Sequence, residues 1–215
     1  ITCNTGAKLK LKGIKNGSTI GVDDVVYADY SGGSGSTSIT FKYVVHEGDE
    51  SDKLEVYNES GKGPIEGMTS ANAHLDVLAD ANNLQENYTI AIDGKSPKVD
   101  TITITTDAVF GNINDDITYL RAGRKITAKV KVTEAVTVQG APKFVLKNKT
   151  DSSKELKLIC QGTENDGKTL VFSAKVESDT TNGAYNYDSS QCIENINTIK
   201  DSFGNSLLNV KTGVE

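Results

Sequence analysis

The chain has 215 residues, a formal net charge of −6 and an apolar fraction of 36% with no Trp, enough for one large domain or two of sandwich size. The acidic balance excludes the clustered Lys and Arg that nucleic acid or an anionic membrane surface requires, and no run of 18 apolar residues exists to insert into a bilayer. A chain rich in Gly, Thr, Ser, Asn and Val suits short strands and turns, so the expected class is all-β.

In chain order, Ile1-Thr-Cys-Asn-Thr-Gly-Ala leads into Lys8-Leu-Lys-Leu11, an opening strand. Residues 31–36, Ser-Gly-Gly-Ser-Gly-Ser, read as a hairpin connection; no phosphate-cradling G-x-x-x-x-G-K-[ST] and no G-x-G-x-x-G after a strand occurs. Ile39, Phe41, Tyr43 and Val45 then alternate with Thr40, Lys42, Val44 and His46, the period-2 pattern of a strand with one face in a core. Residues 88–105 read as strand, turn and strand, with Gly94 and Pro97 in the turn. A boundary there divides the chain into modules 1–96 and 97–215. In the second, Ile126, Ala128, Val130 and Val132 alternate with Thr127, Lys129, Lys131 and Thr133, and Leu170, Phe172, Ala174 and Val176 repeat the pattern.

The two halves resemble each other. Lys8-Leu-Lys-Leu11 matches Lys143-Phe-Val-Leu146, and Ser38-Ile-Thr-Phe41 matches Thr169-Leu-Val-Phe172. A period of about 130 residues means tandem domains, because solenoid units are much shorter. Residues 98–135 have no counterpart before Ile1, so the first module is expected to lack its N-terminal strands. An uncovered sandwich edge aggregates. Two explanations stand side by side: the numbering is a window on a longer array, or strands of a neighbouring chain complete the module by β-augmentation.

Cys3, Cys160 and Cys192 have no CxxC spacing, which argues against zinc. Cys160 and Cys192 either form a disulfide, closing a loop of about 30 residues for roughly 3 to 4 kcal/mol, or stand as separate buried thiols. Asp93, Asp100 and Asp107 flank the module junction and offer hard oxygen ligands for Ca²⁺; the alternative is solvated turn and strand-end residues, since no D-x-[DN]-x-[DN]-G loop is present. Asn16, Asn58, Asn87 and Asn148 stand in N-x-[ST] sequons that permit glycosylation. His46 and His74 have no partner in a nucleophile motif, so no catalytic residue and no enzyme activity is expected.

Longer stretches resemble a known family. Tyr119-Leu-Arg-Ala-Gly123 and the residues to Val138, Gly140-Ala-Pro142 with Lys143-Phe-Val-Leu146, Ile199-Lys-Asp201-Ser-Phe-Gly204-Asn205 and the linker Ile92-Asp93-Gly-Lys-Ser-Pro97 are similar to the repeated bacterial Ig-like modules of very large surface and adhesion proteins. The first copy departs by carrying Ile65-Glu-Gly-Met-Thr-Ser-Ala-Asn72 in place of the Asp and Gly-Asn turn, and the second by Thr133 where an aromatic is usual. The resemblance implies two tandem immunoglobulin-like β-sandwich modules in an extracellular or cell-surface protein. Their role would be that of a structural or filament repeat whose partners are neighbouring Ig-like modules or identical subunits. The other implied role is an adhesin module touching a glycan or host protein through loops 31–36 or 180–188.

Overall fold

The computed structural model describes residues 3–16, 25–57, 64–68, 88–107 and 121–211. The architecture is all-β and sandwich-like, with no α-helix among the described residues and a single-turn 3-10 helix at Ile196–Thr198. Two compact units divide the chain, Ile1–Lys95 and Ser96–Glu215.

The first unit carries β1 (Cys3–Lys12), β2 (Lys15–Asn16), β3 (Val26–Gly32), β4 (Thr40–Lys42), β5 (Asp49–Ser51), β6 (Glu55–Val56), β7 (Ile65–Met68) and β8 (Ile92–Asp93). One sheet runs β4-β3-β1-β6, with β7 also on β1; a second runs β2-β5-β8. β1 is flanked on both sides, and Ala7, Leu11 and even Lys10 are buried on it. A buried ammonium needs a partner, and the Lys10 Nζ lies 3.0 Å from the Glu66 carboxylate. Leu11, Ile14, Ala28, Leu54 and Val56 form the core, with Leu9, Val26, Phe41, Tyr43 and Ile92 only partly covered against it.

The second unit carries β9 (Lys98–Thr106), β10 (Lys125–Val132), β11 (Thr137–Val138), β12 (Lys143–Asn148), β13 (Glu155–Glu164), β14 (Thr169–Lys175), β15 (Tyr185–Asn186), β16 (Ile193–Glu194), β17 (Ile199–Lys200) and β18 (Leu208–Lys211). Its large sheet runs β15-β12-β13-β14-β10-β9-β18, with β16 also on β12, and a small sheet pairs β11 with β17. The alternation in β10 does what a period of two dictates: Ile126, Ala128, Val130 and Val132 point into the core. They meet Phe144, Leu158, Leu170, Phe172, Ile199 and Leu207. Phe172 is 0% exposed and packs on Phe144 with ring centroids 5.9 Å apart. Each such fully buried side chain contributes about 1.5 to 3 kcal/mol. Among the described residues the antiparallel pattern has one exception, β18, which joins β9 in parallel with Leu208 opposite Lys98.

The first unit departs from expectation at β4. The alternation promises a strand through Val45, yet β4 ends at Lys42, and Val45 is 46% exposed. The cause is Asp49, which captures both the Tyr43 hydroxyl and the His46 N–H and so turns the chain away from the sheet line.

Candidate interaction edge

The segment from β3 through β4 is held at both ends. At its start, Tyr30 folds back on its own turn, its hydroxyl accepting the Ser34 N–H at 2.8 Å. The Ser36 hydroxyl donates to the Gly33 carbonyl (2.8 Å), and Gly33 has φ +95°, where a Cβ would strike the Ser38 carbonyl. At its end, the Asp49 carboxylate, 1% exposed, accepts the Tyr43 hydroxyl at 2.6 Å and the His46 N–H at 2.7 Å, with the His46 Nδ1 at 3.4 Å. Burial alone pushes the Asp49 carboxyl upward, but these bonds and the imidazole outweigh it and hold the group below its ordinary value. Burial, reinforced by the bond to Asp49 and its charge, pushes the Tyr43 hydroxyl up. The Gly94 N–H donates to the Asp49 carbonyl at 2.6 Å, so the corner is also pinned through its backbone.

Between these fixed ends lies a strand that is satisfied on one side. Among the described residues β4 pairs with β3 alone. Phe41 touches Tyr30 edge to face, with centroids 6.2 Å apart, and is only half-buried, as are Ile39 and Tyr43. Val44, just beyond the strand, is 58% exposed. An open ladder edge beside half-covered apolar side chains is a docking geometry for another strand.

The residues expected to bind metal do not form one site. Asp100 and Asp107 fall at opposite ends of β9, about 23 Å apart at ~3.3 Å per residue. Each has its own partner: Asp100 pairs with the Lys131 Nζ at 3.2 Å, and Asp107 accepts the Lys125 N–H at 2.9 Å. One ion cannot be shared by the two. Asp93 accepts the Lys95 N–H at 3.0 Å, a local turn bond.

Of the two readings for Cys160 and Cys192, the structure has separate free thiols, not a disulfide. β12 lies between them: the Cys160 N–H donates to the Pro142 carbonyl just before it, and the Cys192 carbonyl accepts the Val145 N–H from its other side. Two strand spacings of about 4.8 Å exceed the ~7 Å limit on Cα separation for a disulfide. Burial pushes the Cys192 thiol up to about 11, with Asp188 adding to it, and raises Cys160 as well.

Among the sequons, Asn148 is corrected. It is 2% exposed, its Nδ2 donates to the Asn182 carbonyl (3.3 Å) and its Oδ1 accepts the N–H groups of Thr150 (2.9 Å) and Asp151 (3.3 Å). A glycan on that nitrogen has no room in the folded unit. Asn16 lies in β2 opposite Asp49, while Asn58, Asn87 and His74 lie outside the described residues. The Asp201 carboxylate accepts the Phe203 and Asn205 N–H groups at 2.8 and 2.9 Å, with Gly204 at φ +94°, a closed structural turn. Asp49 carries no sequence signal: a Gly-Asp-Glu stretch after an apolar run reads as exposed turn, and its burial emerges only when Tyr43 and His46 close over it.

Comparison with known protein families, curated proteins and solved structures finds no match to this chain.

Proposed function

We propose that this chain is a non-catalytic structural segment of an extracellular surface or filament protein, composed of two Ig-like modules of one design. The observation that carries this reading is that the two units use the same strand path in the same register. Leu9 faces Ala28 as Phe144 faces Leu158. Tyr30 faces Phe41 as Cys160 faces Phe172, and each pair is followed by one extra residue, Ser31 or Gln161, before the register resumes at Gly32 or Gly162. On the other side of the same strands, Lys8 and Leu9 face Glu66 and Ile65 as Lys143 and Phe144 face Glu194 and Ile193. Even the junction bond repeats: the Lys10 N–H donates to the Pro64 carbonyl at 2.8 Å, and the Val145 N–H to the Cys192 carbonyl at 2.8 Å.

Lys8 and Lys143, Gly32 and Gly162, Phe41 and Phe172, Ile65 and Ile193, and Glu66 and Glu194 share a residue type, and the other pairs keep the same register with different residues. A bulge in particular marks a conserved design, since it costs an unpaired residue and bends the strand. Duplicated modules whose side chains are committed to ladders, turns and core serve as spacers, with reach set by the number of copies. The extracellular assignment rests on the likeness of residues 119–146 and 199–205 to repeats of surface proteins. Antibody labelling of intact producing cells tests it, the expected result being label on the outside together with thin rods in negative stain. Label that appears only after lysis refutes the assignment.

A further inference from the structure

In the second unit, the strand that covers β14 on the side away from β13 is β10. Ala128 faces Phe172, Ile126 faces Ala174 and Val130 faces Leu170, and in this setting Phe172 and Leu170 are fully buried. By the shared register Phe41 is the counterpart of Phe172 and Ile39 that of Leu170, and both are only half-buried. The deficit falls on the residues that a β10-like strand would cover. No described residue of the first unit occupies that place.

Resting on the two-copy reading, we propose that the outer edge of β4 is a strand-accepting site. Its ligand is an extended segment of β10 type, from a neighbouring module of the same design, that runs antiparallel to β4 with a small residue opposite Phe41. The register follows by transposition: the positions of Val130, Ala128 and Ile126 come to lie opposite Ile39, Phe41 and Tyr43, and the positions of Lys129 and Thr127 opposite Thr40 and Lys42. The small residue matters because Phe41, like Phe172, needs its partner's Cβ and no more beside the ring. The intervening Lys and Thr positions keep the other face of the ligand wet, as they do along β10, where Lys125, Lys129 and Lys131 are exposed. The site is preorganised by the Tyr43–Asp49 bond and the Tyr30–Ser34 bond at its two ends, which lowers the entropy lost on docking.

The test uses the full chain and a fluorescein-labelled peptide of residues 124–133, read by anisotropy and by hydrogen exchange with mass spectrometry. Saturable binding is expected, with new amide protection across residues 39–44 and none added across 125–132. Peptides carrying Ala128→Pro, which cannot complete the ladder, or Ala128→Lys, which sets a charge against Phe41, bind at least about tenfold more weakly. The proposal is overturned if the Ala128→Pro peptide binds equally, if the β4 amides that point away from β3 are already protected in the free chain, or if that chain is a dimer that exchanges β10 between copies. Cross-strand amide NOEs between Tyr30 and Phe41 and between Cys160 and Phe172 read the two-copy design separately. Both present without peptide binding sinks the acceptor site alone; absence of the first sinks the shared design as well.

Discussion

Truncating the same ring in both units measures how completely each is enclosed. Phe172 is fully buried between Ala128 and Cys160 on the flanking strands and against the Phe144 ring. Phe172→Ala therefore removes both transfer energy and an aromatic pair and leaves a cavity, for a cost of about 3 to 5 kcal/mol. Phe41 has Tyr30 on one side and is only partly buried, so Phe41→Ala costs less, roughly 1.5 to 2.5 kcal/mol. With a urea m-value near 2 kcal/mol/M, the midpoints of the two units fall by about 2 M and about 1 M. Urea titration of the full chain followed by circular dichroism reads the shifts, and pulsed hydrogen exchange on β1 and β10 assigns each transition to its unit. Equal losses for the two variants would refute the reasoning, because they would mean that Phe41 is as enclosed in solution as Phe172 and that the edge of β4 is already occupied.

Four further outcomes rest on individual side chains. Asp49→Asn removes charge-assisted bonds from Tyr43 and His46 and lowers the stability of the first unit by about 1.5 to 3 kcal/mol in urea titrations. In the parent chain the same group makes stability pH-dependent. Its folded pKa lies below the unfolded value, so the contribution is present above about pH 4 and disappears as pH falls through the folded pKa, a loss that the Asn variant does not show. At pH 8 about a thousandth of the Cys192 thiol is ionised against about a quarter of an ordinary cysteine, so its alkylation by iodoacetamide is at least about 100-fold slower than in urea; equal rates by peptide mass spectrometry would contradict its burial. Asn148→Ala leaves the Thr150 and Asp151 N–H groups without their acceptor and lowers the second unit's melting free energy by about 1 to 3 kcal/mol by calorimetry. Ser51→Ala removes a buried hydroxyl that meets no hydrogen-bond partner among the described residues and raises the first unit's stability by about 1 kcal/mol, and a fall of that size would show that water satisfies it.

Strands in which one pattern governs every position were legible from residue types alone. β10 alternates Ile126, Ala128, Val130 and Val132 inward because both its neighbours are long strands that hold it to a period of two. β4 carries an equally clear alternation but stops early, because a carboxylate four residues past its expected end, Asp49, binds the chain before the ladder can extend. Local pattern reports which face a residue would take; it does not report a competing tertiary bond. The same limit explains Asn148, whose sequon spacing is also the spacing of an Asn turn, and the two cysteines, whose separation along the chain says nothing about the strand between them. The candidate edge was legible only in outline: the repeat drew attention to the strands flanking Phe41 and Phe172, and the greater exposure of Phe41 marks the edge that is open among the described residues.

The parallel pairing of β18 with β9 sets how the second unit meets tension. β9 opens the unit and β18 closes it, so traction applied through its two ends slides these neighbours lengthwise past each other. Bonds loaded along the strand axis share the strain and yield together, whereas a hairpin peeled from its open end gives way one rung at a time. A stretch of such units would hold its length under flow until the clamp fails abruptly, and then release slack in discrete steps.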